Sequence, residues 1–405
     1  MWQSTARTRT NSAFTSFFFS NARWASPAIR ITRNPHSYGL IAHPTTDLPR
    51  SAFKQAEALT PARLAKVYWQ LSKSSLTVLN VLAAMNGVAL SPLPTTVPVL
   101  LATAVGTALC SASANTLNQI QEVPFDAQMA RTRMRPIVRR AISPLHATAF
   151  AAVTGITGPA ILWTMTNPTT AIIGAGALAL YAGPYTWMKR KSIANTWLGA
   201  VVGAAPPVMG WTACGGQLIP SPSYPIHIFP PSFVSSLSET VLDPSLINSP
   251  LAPLALFALL FSWQFPHFNS LSYVVRGSYA QAGCHMLSVL DPRKNALVSL
   301  RHALILIPAC SVLIPLSGLT TWWFALSSLF PNIVLLRASW IFWKNGGEKQ
   351  ARTLFRHSLW YLPLILGMMM AHKQGVDWLQ WIGIGSDDPR KLENENHVVD
   401  RPQSS

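Results

Sequence analysis

The sequence predicts an all-α membrane protein with nine transmembrane helices. Three observations support this fold class. Hydrophobic residues make up 49% of the 405 positions and charged residues only 11%, whereas soluble domains carry about a quarter charged residues. Apolar stretches near the length needed to cross a bilayer recur along the chain. Lys and Arg fall in alternate loops between these stretches, as expected when successive helices cross a membrane.

The charge balance limits the partners. The chain has 31 Lys and Arg against 14 Asp and Glu, a formal charge of +17. Such an excess suits nucleic acid, anionic lipid or an anionic substrate, and the low charge density favours a membrane setting over nucleic acid. The cysteines form no CxxC pair and lie in or beside apolar stretches, which predicts small buried hydrophobes rather than disulfides or zinc ligands. They are Cys110, Cys214, Cys284 and Cys310.

The N-terminal segment differs in kind from the rest. Residues 1–46 contain no acid, and the first is Asp47. Arginine is scattered there among Ser, Thr and Ala, which is typical of a mitochondrial transit peptide. The alternative is a disordered basic tail. The sequence therefore predicts a transit peptide over about 1–46, followed by an N-terminal segment at 47–74 on the matrix side.

The nine apolar stretches define a membrane domain over 75–373. Several contain Gly or Pro, which membrane helices tolerate. A polar tail, 374–405, follows the domain. The predicted spans are 75–92, 96–116, 142–165, 168–187, 194–213, 251–268, 300–317, 319–342 and 356–372.

Basic residues fix the predicted orientation. The loops after the second, fourth, sixth and eighth spans carry Lys or Arg, and the loops between them carry none. By the positive-inside rule the four basic loops share one face with the N-terminus. In a mitochondrial inner membrane that face is the matrix. The long segment 214–250, rich in Pro and Ser, is then a loop or lid on the other face.

Acidic residues are scarce in this chain, yet two of them lie just after the second predicted span, in the stretch NQIQEVPFDAQMARTRMRP. Asn118, Glu122 and Asp126 are four residues apart, so a helix would stack them on one side. Pro124 should kink or end that helix. Two carboxylates and an amide oxygen facing a cavity suit Mg²⁺. The alternative is that the acids pair with the arginines behind them, but intramembrane acids are functional as a rule.

Two basic clusters lie on the same predicted face, one behind these acids and one in YTWMKRK at 185–191. Arginines and lysines at such places commonly serve as topology signals or lipid contacts. Together with the carboxylates they could instead hold a metal-diphosphate. Mg²⁺ bridges diphosphate oxygens while Lys and Arg neutralise the departing charge, an arrangement that favours ionisation of an allylic diphosphate.

A third group of polar residues lies in WQFPHFNSLSYVVRGSYAQAGCHML at 263–287. His267 is at the end of the sixth predicted span. A lone histidine there is commonly a hydrogen-bonded structural residue, yet histidine is also the commonest axial ligand of haem iron. Arg276 and Tyr279 follow on the basic face, where interfacial anchoring is the alternative to a substrate contact.

These three stretches, in this order, resemble the protoheme IX farnesyltransferase family, the haem O synthases, a branch of the UbiA-type intramembrane prenyltransferases. The resemblance runs over about residues 70–375. It implies nine transmembrane helices in a bundle around a central cavity. It also implies transfer of the farnesyl group of farnesyl diphosphate to a vinyl group of haem B, with addition of water and release of diphosphate. Haem O is the precursor of haem A for cytochrome c oxidase.

The resemblance also implies partners and a cofactor. Haem B and farnesyl diphosphate would be substrates, Mg²⁺ the cofactor and the lipid bilayer the surroundings. Haem A synthase, the next enzyme, is a candidate partner, and no nucleic acid is expected. Asn118, Glu122 and Asp126 would hold the metal and, with Lys189, form the catalytic group, while Asn115 would support the cavity wall.

The remaining roles implied by the resemblance concern the two substrates. His267 would bind haem, and Arg131 and Arg135 would contact either diphosphate or the haem propionates. The residues implied in diphosphate binding are Arg131, Arg135, Lys189, Arg190, Arg276 and Tyr279.

One departure from the family pattern concerns the second acidic motif. The family carries an acidic pair before the tyrosine, whereas this chain reads Arg276-Gly277-Ser278-Tyr279. Asp291 lies further along, away from the matching place. The sequence therefore predicts that one Mg²⁺, held by the first motif, serves the reaction, or that the chain is less active than the family pattern suggests.

Three other functions compete with haem farnesylation. A prenyltransferase acting on a quinone precursor ring would share the fold and the first motif, but it would be expected to keep the second acidic motif. A transporter or channel would tolerate the broken spans and intramembrane polar groups, but it has no need of acids and bases converging on one face. An assembly factor without activity is suggested by Gly277 and Ser278.

Overall fold

The computed structural model describes residues 60–231 and 248–375. The predicted transit peptide, the middle of the long loop and nearly all of the polar tail lie outside these ranges. Contacts between Cα atoms divide the chain into two units, Met1–Lys66 and Val67–Ser405. The described part of the first unit is the start of a helix that begins at Pro61.

All regular secondary structure in the described ranges is helical, apart from two isolated β-bridges. Two of the helices continue past a π-helical turn: Pro168–Leu180 through Tyr181–Tyr185 to Met188, and Pro292–Pro308 through Ala309–Leu313 to Leu316. The helices are α1 (Pro61–Leu71), α2 (Ser74–Leu90), α3 (Val97–Asp126), α4 (Pro144–Met165), α5 (Pro168–Leu180), α6 (Asn195–Ala213), α7 (Leu251–Val274), α8 (Arg276–Gln281), α9 (Leu287–Leu290), α10 (Pro292–Pro308), α11 (Trp323–Ser327), α12 (Leu329–Asn345) and α13 (Glu348–Ala371).

Five helical segments in the described ranges are long and apolar enough to cross a membrane. They are α3, α4, α7, α10 extended to Leu316, and α11 with α12 over Trp323–Asn345. A span needs about 20 apolar residues, and α2, with 17 residues, falls short of that length. The all-helical prediction is confirmed for the described residues, whereas the count of nine spans stays a prediction.

Two helices run well past the ends predicted from hydropathy. The spans 96–116 and 251–268 correspond to α3 and α7, which end at Asp126 and Val274. A hydropathy window ends where polar residues begin, but a helix can continue past that point when buried polar groups find hydrogen-bond partners. Asn269 and Asn295 illustrate this, since each side-chain amide donates to the backbone carbonyl of the other, at 3.3 and 3.0 Å.

Small residues let the helices approach closely, as is common between membrane helices. At the crossing of α6 and α2, a Cβ atom on Gly210 would stand 1.9 Å from the carbonyl oxygen of Ala84. At the crossing of α4 and α3, a Cβ atom on Gly158 would stand 2.9 Å from the backbone nitrogen of Cys110. The largest core cluster lies among α7, α10, α12 and α13, around side chains such as Tyr361.

Polar residues at helix starts satisfy free backbone N–H groups. Asn167 Oδ1 accepts from the Thr170 backbone nitrogen at 2.9 Å, at the start of α5. Asp291 Oδ1 accepts from the Lys294 backbone nitrogen at 2.9 Å, at the start of α10. Such caps contribute about 0.5–2 kcal/mol. Asp291 therefore acts as a cap, and the structure gives it no place in the group of acids on α3.

The basic loops contact one another at one end of the bundle. The backbone nitrogen of His285, in the loop after α7, donates to the carbonyl oxygen of Lys189, in the loop after α5, at 2.8 Å. The backbone nitrogen of Gly347, after α12, donates to the Tyr273 hydroxyl at 3.3 Å. The loops after α5 and α7 are thus joined to each other, and the loop after α12 contacts the last turn of α7 at the same end.

Loops without Lys or Arg meet at the other end. The backbone nitrogen of Phe229, in the described part of the long loop, donates to the Leu316 carbonyl at 2.9 Å. Phe229 in turn accepts from Trp322 Nε1 at 2.9 Å. The first part of the long loop therefore packs against the turn that follows α10, opposite the basic end.

Candidate active site

A cavity of about 60 Å³ opens among the basic loops. Its walls come from the end of α3, the loop behind it, the end of α5 and the segment after α8. Distant parts of the sequence therefore meet at one point. The predicted site residues that line it are Glu122, Asp126, Arg131, Arg135, Lys189, Arg190 and Tyr279.

The last turns of α3 carry the acids. Asn118, Glu122 and Asp126 all lie within this helix, so the predicted stacking on one side is confirmed. Pro124 does not interrupt the helix at its own position, and the helix ends two residues later at Asp126. The side chains of Asn118 and Asp126 are buried.

Both carboxylates have a cation beside them. Lys189 Nζ donates to Glu122 Oε1 at 2.6 Å. Arg135 Nη1 forms an ion pair with Asp126 Oδ2 and lies 3.8 Å from Glu122 Oε2. The pairing that the sequence left open is therefore present for Arg135, while Arg131 contributes to the cavity wall.

Lys73, which the sequence did not single out, also reaches this group. It lies between α1 and α2, and its Nζ donates to Asn118 Oδ1 at 2.8 Å and to the Tyr181 hydroxyl at 3.4 Å. Asn118 Nδ2 donates to Thr186 Oγ1 at 3.0 Å. The only signal in the sequence is a lysine just ahead of the first apolar stretch on the predicted basic side.

Positive charge exceeds negative charge at this site. Five cationic side chains surround the two carboxylates. Burial lowers the pKa of Lys73 well below its ordinary value, and the nearby Arg135 and Lys189 lower it further. A site with this excess suits a polyanion. The cationic side chains are Lys73, Arg131, Arg135, Lys189 and Arg190.

Aromatic rings hold several of these cations in place. Lys189 Nζ lies 4.7 Å from the centre of the Tyr185 ring, and the Arg190 guanidinium lies 4.2 Å from the centre of the Phe125 ring. Such contacts contribute about 0.5–2 kcal/mol. The rings were not predicted as part of the site, because aromatic residues are common throughout a membrane bundle.

The opposite wall consists of Tyr279 and Cys284, which pack in a small cluster with Met129 and Met286. Burial raises the pKa of Tyr279, against the effect of nearby cations, and burial raises the pKa of Cys284 to about 11. Both groups are therefore protonated at neutral pH, and the wall adds no negative charge that would repel a diphosphate.

The residues present fit a single Mg²⁺. Among the residues that the structure describes, no group of three or more His, Cys, Asp or Glu is placed to hold a metal. Mg²⁺ is commonly bound by one or two carboxylates and by substrate phosphates, and Glu122 and Asp126 supply two. Asp126 Oδ1 is buried and has no hydrogen-bond partner, so it retains an oxygen for a metal.

Four predicted site residues are not part of the cavity lining: Asn115, Asn118, His267 and Arg276. The Arg276 guanidinium lies 4.1 Å from the centre of the Tyr273 ring and donates to the Tyr273 carbonyl at 2.8 Å, as the anchoring alternative describes. Asn115 is buried, and its Nδ2 donates to the Ser72 carbonyl at 3.1 Å. Asn115 therefore ties α3 to the segment that carries Lys73.

His267 lies within α7 rather than at its end, and its ring is fixed. It stacks on Trp263 with ring centres 4.6 Å apart and lies beside Phe355. His267 Nδ1 is 2.9 Å from Ser358 Oγ, and that hydroxyl donates to the Phe355 carbonyl at 2.7 Å. When the hydroxyl proton is given to the Phe355 carbonyl, Nδ1 is the donor to Ser358 Oγ and Nε2 keeps its lone pair. Its role in haem binding stays a prediction.

Comparisons with known proteins agree with this geometry. The model of the UbiA prenyltransferase family matches residues 77–360. The chain is 40% identical to the mitochondrial protoheme IX farnesyltransferase of Yarrowia lipolytica over 83% of its own length and 70% of the relative's. It is also 40% identical to the one of Neurospora crassa, over 87% and 70% of the two chains. The human protein of the same name is 41% identical, over 75% and 62%.

Solved structures share the fold at low sequence identity. A digeranylgeranylglyceryl phosphate synthase structure aligns with a TM-score of 0.59 at 13% identity, over 77% of this chain and 98% of the other. A UbiA homologue from Aeropyrum pernix K1 aligns with a TM-score of 0.54 at 17% identity, over 73% and 96%. At these identities the likeness concerns the fold alone.

Proposed function

The chain belongs to the UbiA prenyltransferase family, and we propose that it transfers the farnesyl group of farnesyl diphosphate to a vinyl group of haem B, with addition of water, to give haem O. Haem as acceptor follows from the relatives, which are named protoheme IX farnesyltransferases. One observation in the structure carries the proposal: two carboxylates and five cationic side chains converge at one end of an all-helical bundle.

The converging charges suit removal of a diphosphate. The farnesyl C1–O bond breaks, and its electron pair leaves with the diphosphate. Lys189, Arg131 and Arg135 line the cavity where that charge develops, and preorganised cations stabilise such a transition state. Mg²⁺, held by Glu122 and Asp126 together with the diphosphate oxygens, would supply further charge neutralisation.

The carbon–carbon bond then forms on the haem. The π electrons of the vinyl group attack the farnesyl cation at C1, which leaves positive charge on the neighbouring vinyl carbon. Water adds there and loses a proton, giving a hydroxyethylfarnesyl side chain. Haem B, farnesyl diphosphate and water thus yield haem O, diphosphate and a proton. His267, whose Nε2 lone pair is available, is the proposed haem-binding residue.

The proposed setting is the mitochondrial inner membrane. Relatives are mitochondrial proteins, and residues 1–46 have the composition of a transit peptide. We propose nine spans over 75–373, with the cavity on the matrix side together with the basic loops. Haem A synthase, which would take the product, is a candidate partner.

The direct test is product formation. The purified chain in detergent, given haem B, farnesyl diphosphate and Mg²⁺, should convert haem B into haem O, followed by chromatography and mass spectrometry. A chelator should stop the reaction, and added Mg²⁺ should restore it.

Two matched reactions sharpen the result. A human relative assayed in parallel controls for the conditions, and a hydroxybenzoate offered in place of haem B tests the quinone alternative. The proposal fails if the relative makes haem O and this chain makes none. A prenylated hydroxybenzoate as sole product would point instead to the quinone pathway.

A further inference from the structure

Lys73 lies outside the three stretches that predict the site, yet its side chain ends inside it. Its Nζ donates to Asn118 Oδ1 at 2.8 Å. Its backbone has a φ of 46°, in the left-handed region that side chains other than glycine disfavour. Backbone strain of this kind is unfavourable and clusters at ligand sites, where the surroundings enforce it.

Each polar group on the site face of α3 has a donor bound to it. Lys73 bonds Asn118, Lys189 bonds Glu122, and Arg135 pairs with Asp126. Asp126 Oδ1 has no hydrogen-bond partner and is open to a metal, whereas a metal that binds Asn118 Oδ1 brings its charge next to Lys73 Nζ and competes with Lys73 for that oxygen. Cations displaced inside a buried site need new acceptors, since an unpaired buried charge is costly. A diphosphate supplies those acceptors, because it brings several anionic oxygens to the same place.

We propose that Lys73 is a diphosphate-binding residue, which holds the Asn118 oxygen while the site is empty of substrate and moves to a diphosphate oxygen when metal enters. Metal and prenyl diphosphate then bind together, each strengthening the binding of the other, as linkage requires. The inference rests on the proposed function only in taking the cavity as a diphosphate site. It does not depend on haem as the acceptor.

A packing role for Lys73 is the competing interpretation. The two interpretations predict opposite changes in the affinity for Mn²⁺ when Lys73 is replaced by Met. Lys73→Met keeps a long apolar stem but removes the donor. If Lys73 holds Asn118, this variant frees an oxygen and lowers the local positive charge, so Mn²⁺ alone binds more tightly. If Lys73 only fills space, the variant weakens Mn²⁺ binding or leaves it unchanged.

The experiment measures two affinities without haem and without turnover. Mn²⁺ binding is followed by the electron paramagnetic resonance of free Mn²⁺, and diphosphate binding uses the unreactive farnesyl thiolodiphosphate. For Lys73→Met we expect the affinity for Mn²⁺ to rise about tenfold. The affinity for farnesyl thiolodiphosphate, measured without metal, should fall about tenfold. The factor by which bound thiolodiphosphate increases the affinity for Mn²⁺ should therefore be smaller in Lys73→Met than in the wild-type chain.

Lys191→Met is the matched control. Lys191 is exposed on the same face, with Nζ 4.0 Å from the centre of the Trp187 ring, and should change neither affinity. Lys73→Arg, which keeps a cationic donor, should recover diphosphate affinity in part. If Lys73→Met unfolds in detergent, Lys73→Leu, which also removes the donor, provides the same comparison.

Unchanged or weaker Mn²⁺ binding in Lys73→Met overturns the inference. Equal effects of the Lys73 and Lys191 substitutions overturn it as well. Failure of the proposed function would be recognised separately: haem O would not form, although the wild-type chain would still bind Mn²⁺ and the thiolodiphosphate cooperatively.

Discussion

Lys189 Nζ donates to Glu122 Oε1 at 2.6 Å, joining the loop after α5 to the end of α3. The two residues are 67 positions apart in sequence. This bond brings the second basic cluster onto the first acidic motif, and it gives the predicted metal-diphosphate site a definite geometry. We expect the two partners to act differently: Glu122 on the metal and Lys189 on the diphosphate leaving group.

Asp126→Ala should abolish turnover while leaving haem binding detectable. The substitution removes one of the two carboxylates proposed to hold Mg²⁺, and it leaves Arg135 with Glu122, 3.8 Å away, as its remaining ion-pair partner. We expect haem O formation to fall at least about 100-fold, the scale on which loss of one preorganised electrostatic group acts.

Glu348→Ala is a suitable control for Asp126→Ala, because Glu348 pairs with Arg352 on the exposed start of α13. Such exposed pairs contribute little to stability. Haem absorbance titrations and product assays on both variants check the prediction. Full activity in Asp126→Ala would refute the metal assignment.

Lys189→Met should lower the rate constant of product formation more than it raises the KM for farnesyl diphosphate. The cation is proposed to stabilise charge that develops as the C1–O bond breaks, so its loss acts mainly in the transition state. Steady-state kinetics give both constants. An effect confined to KM would mean that Lys189 contributes uniform binding, and Lys191→Met serves again as the neighbouring control.

The spacing of Asn118, Glu122 and Asp126 could be read from the sequence because helical periodicity is local. The approach of Lys73 to Asn118 could not, since it depends on how the start of α2 packs against α3, 45 residues further along. Periodicity assigns residues to a face of one helix, whereas a site between helices also depends on how those helices pack.

The extent of α7 was also beyond prediction from hydropathy. The predicted span ends near His267, but the helix continues to Val274 because polar residues such as Asn269 find partners on α10. Arg276 was predicted to bind diphosphate from its place in a motif, yet its guanidinium stacks on Tyr273. A motif fixes residue types and order, and the contacts within the fold decide which of them reach the cavity.

The chain should bind one Mn²⁺ when saturated with farnesyl thiolodiphosphate. Glu122 and Asp126 are the carboxylates that line the cavity in the described part of the chain, and the segment that carries Gly277 and Ser278 offers no acid beside Tyr279. Counting bound Mn²⁺ by electron paramagnetic resonance checks this. Two equivalents in the wild-type chain would require a second set of ligands.

His267→Gly should weaken haem binding and change the haem absorption spectrum, and added imidazole should restore both. The reason is that Ser358 holds Nδ1 as a donor and leaves Nε2 free for iron. Ser358→Ala should weaken binding less, because the ring keeps its stacking on Trp263.

The matched control for this prediction is His285→Gly. The backbone nitrogen of His285 donates to the Lys189 carbonyl, and its own carbonyl accepts from Asn195 Nδ2. These bonds do not involve the imidazole, so its loss should leave the spectrum unchanged. A His267→Gly variant with the wild-type spectrum would contradict the assignment and leave the hydrogen-bonded structural role.

Gly210→Ala should destabilise the bundle, because a Cβ atom there would lie 1.9 Å from the Ala84 carbonyl oxygen, in backbone that cannot move aside without separating α2 from α6. Overpacking of this kind costs about 1–3 kcal/mol.

Gly176→Ala is the control, since a Cβ atom at that helical position has no neighbour within 4 Å, and alanine favours the helix by about 1 kcal/mol. Thermal unfolding in detergent should therefore show a lower midpoint for Gly210→Ala and an equal or higher one for Gly176→Ala. Equal midpoints for the two variants would mean that α2 and α6 do not pack as closely as the structure has them.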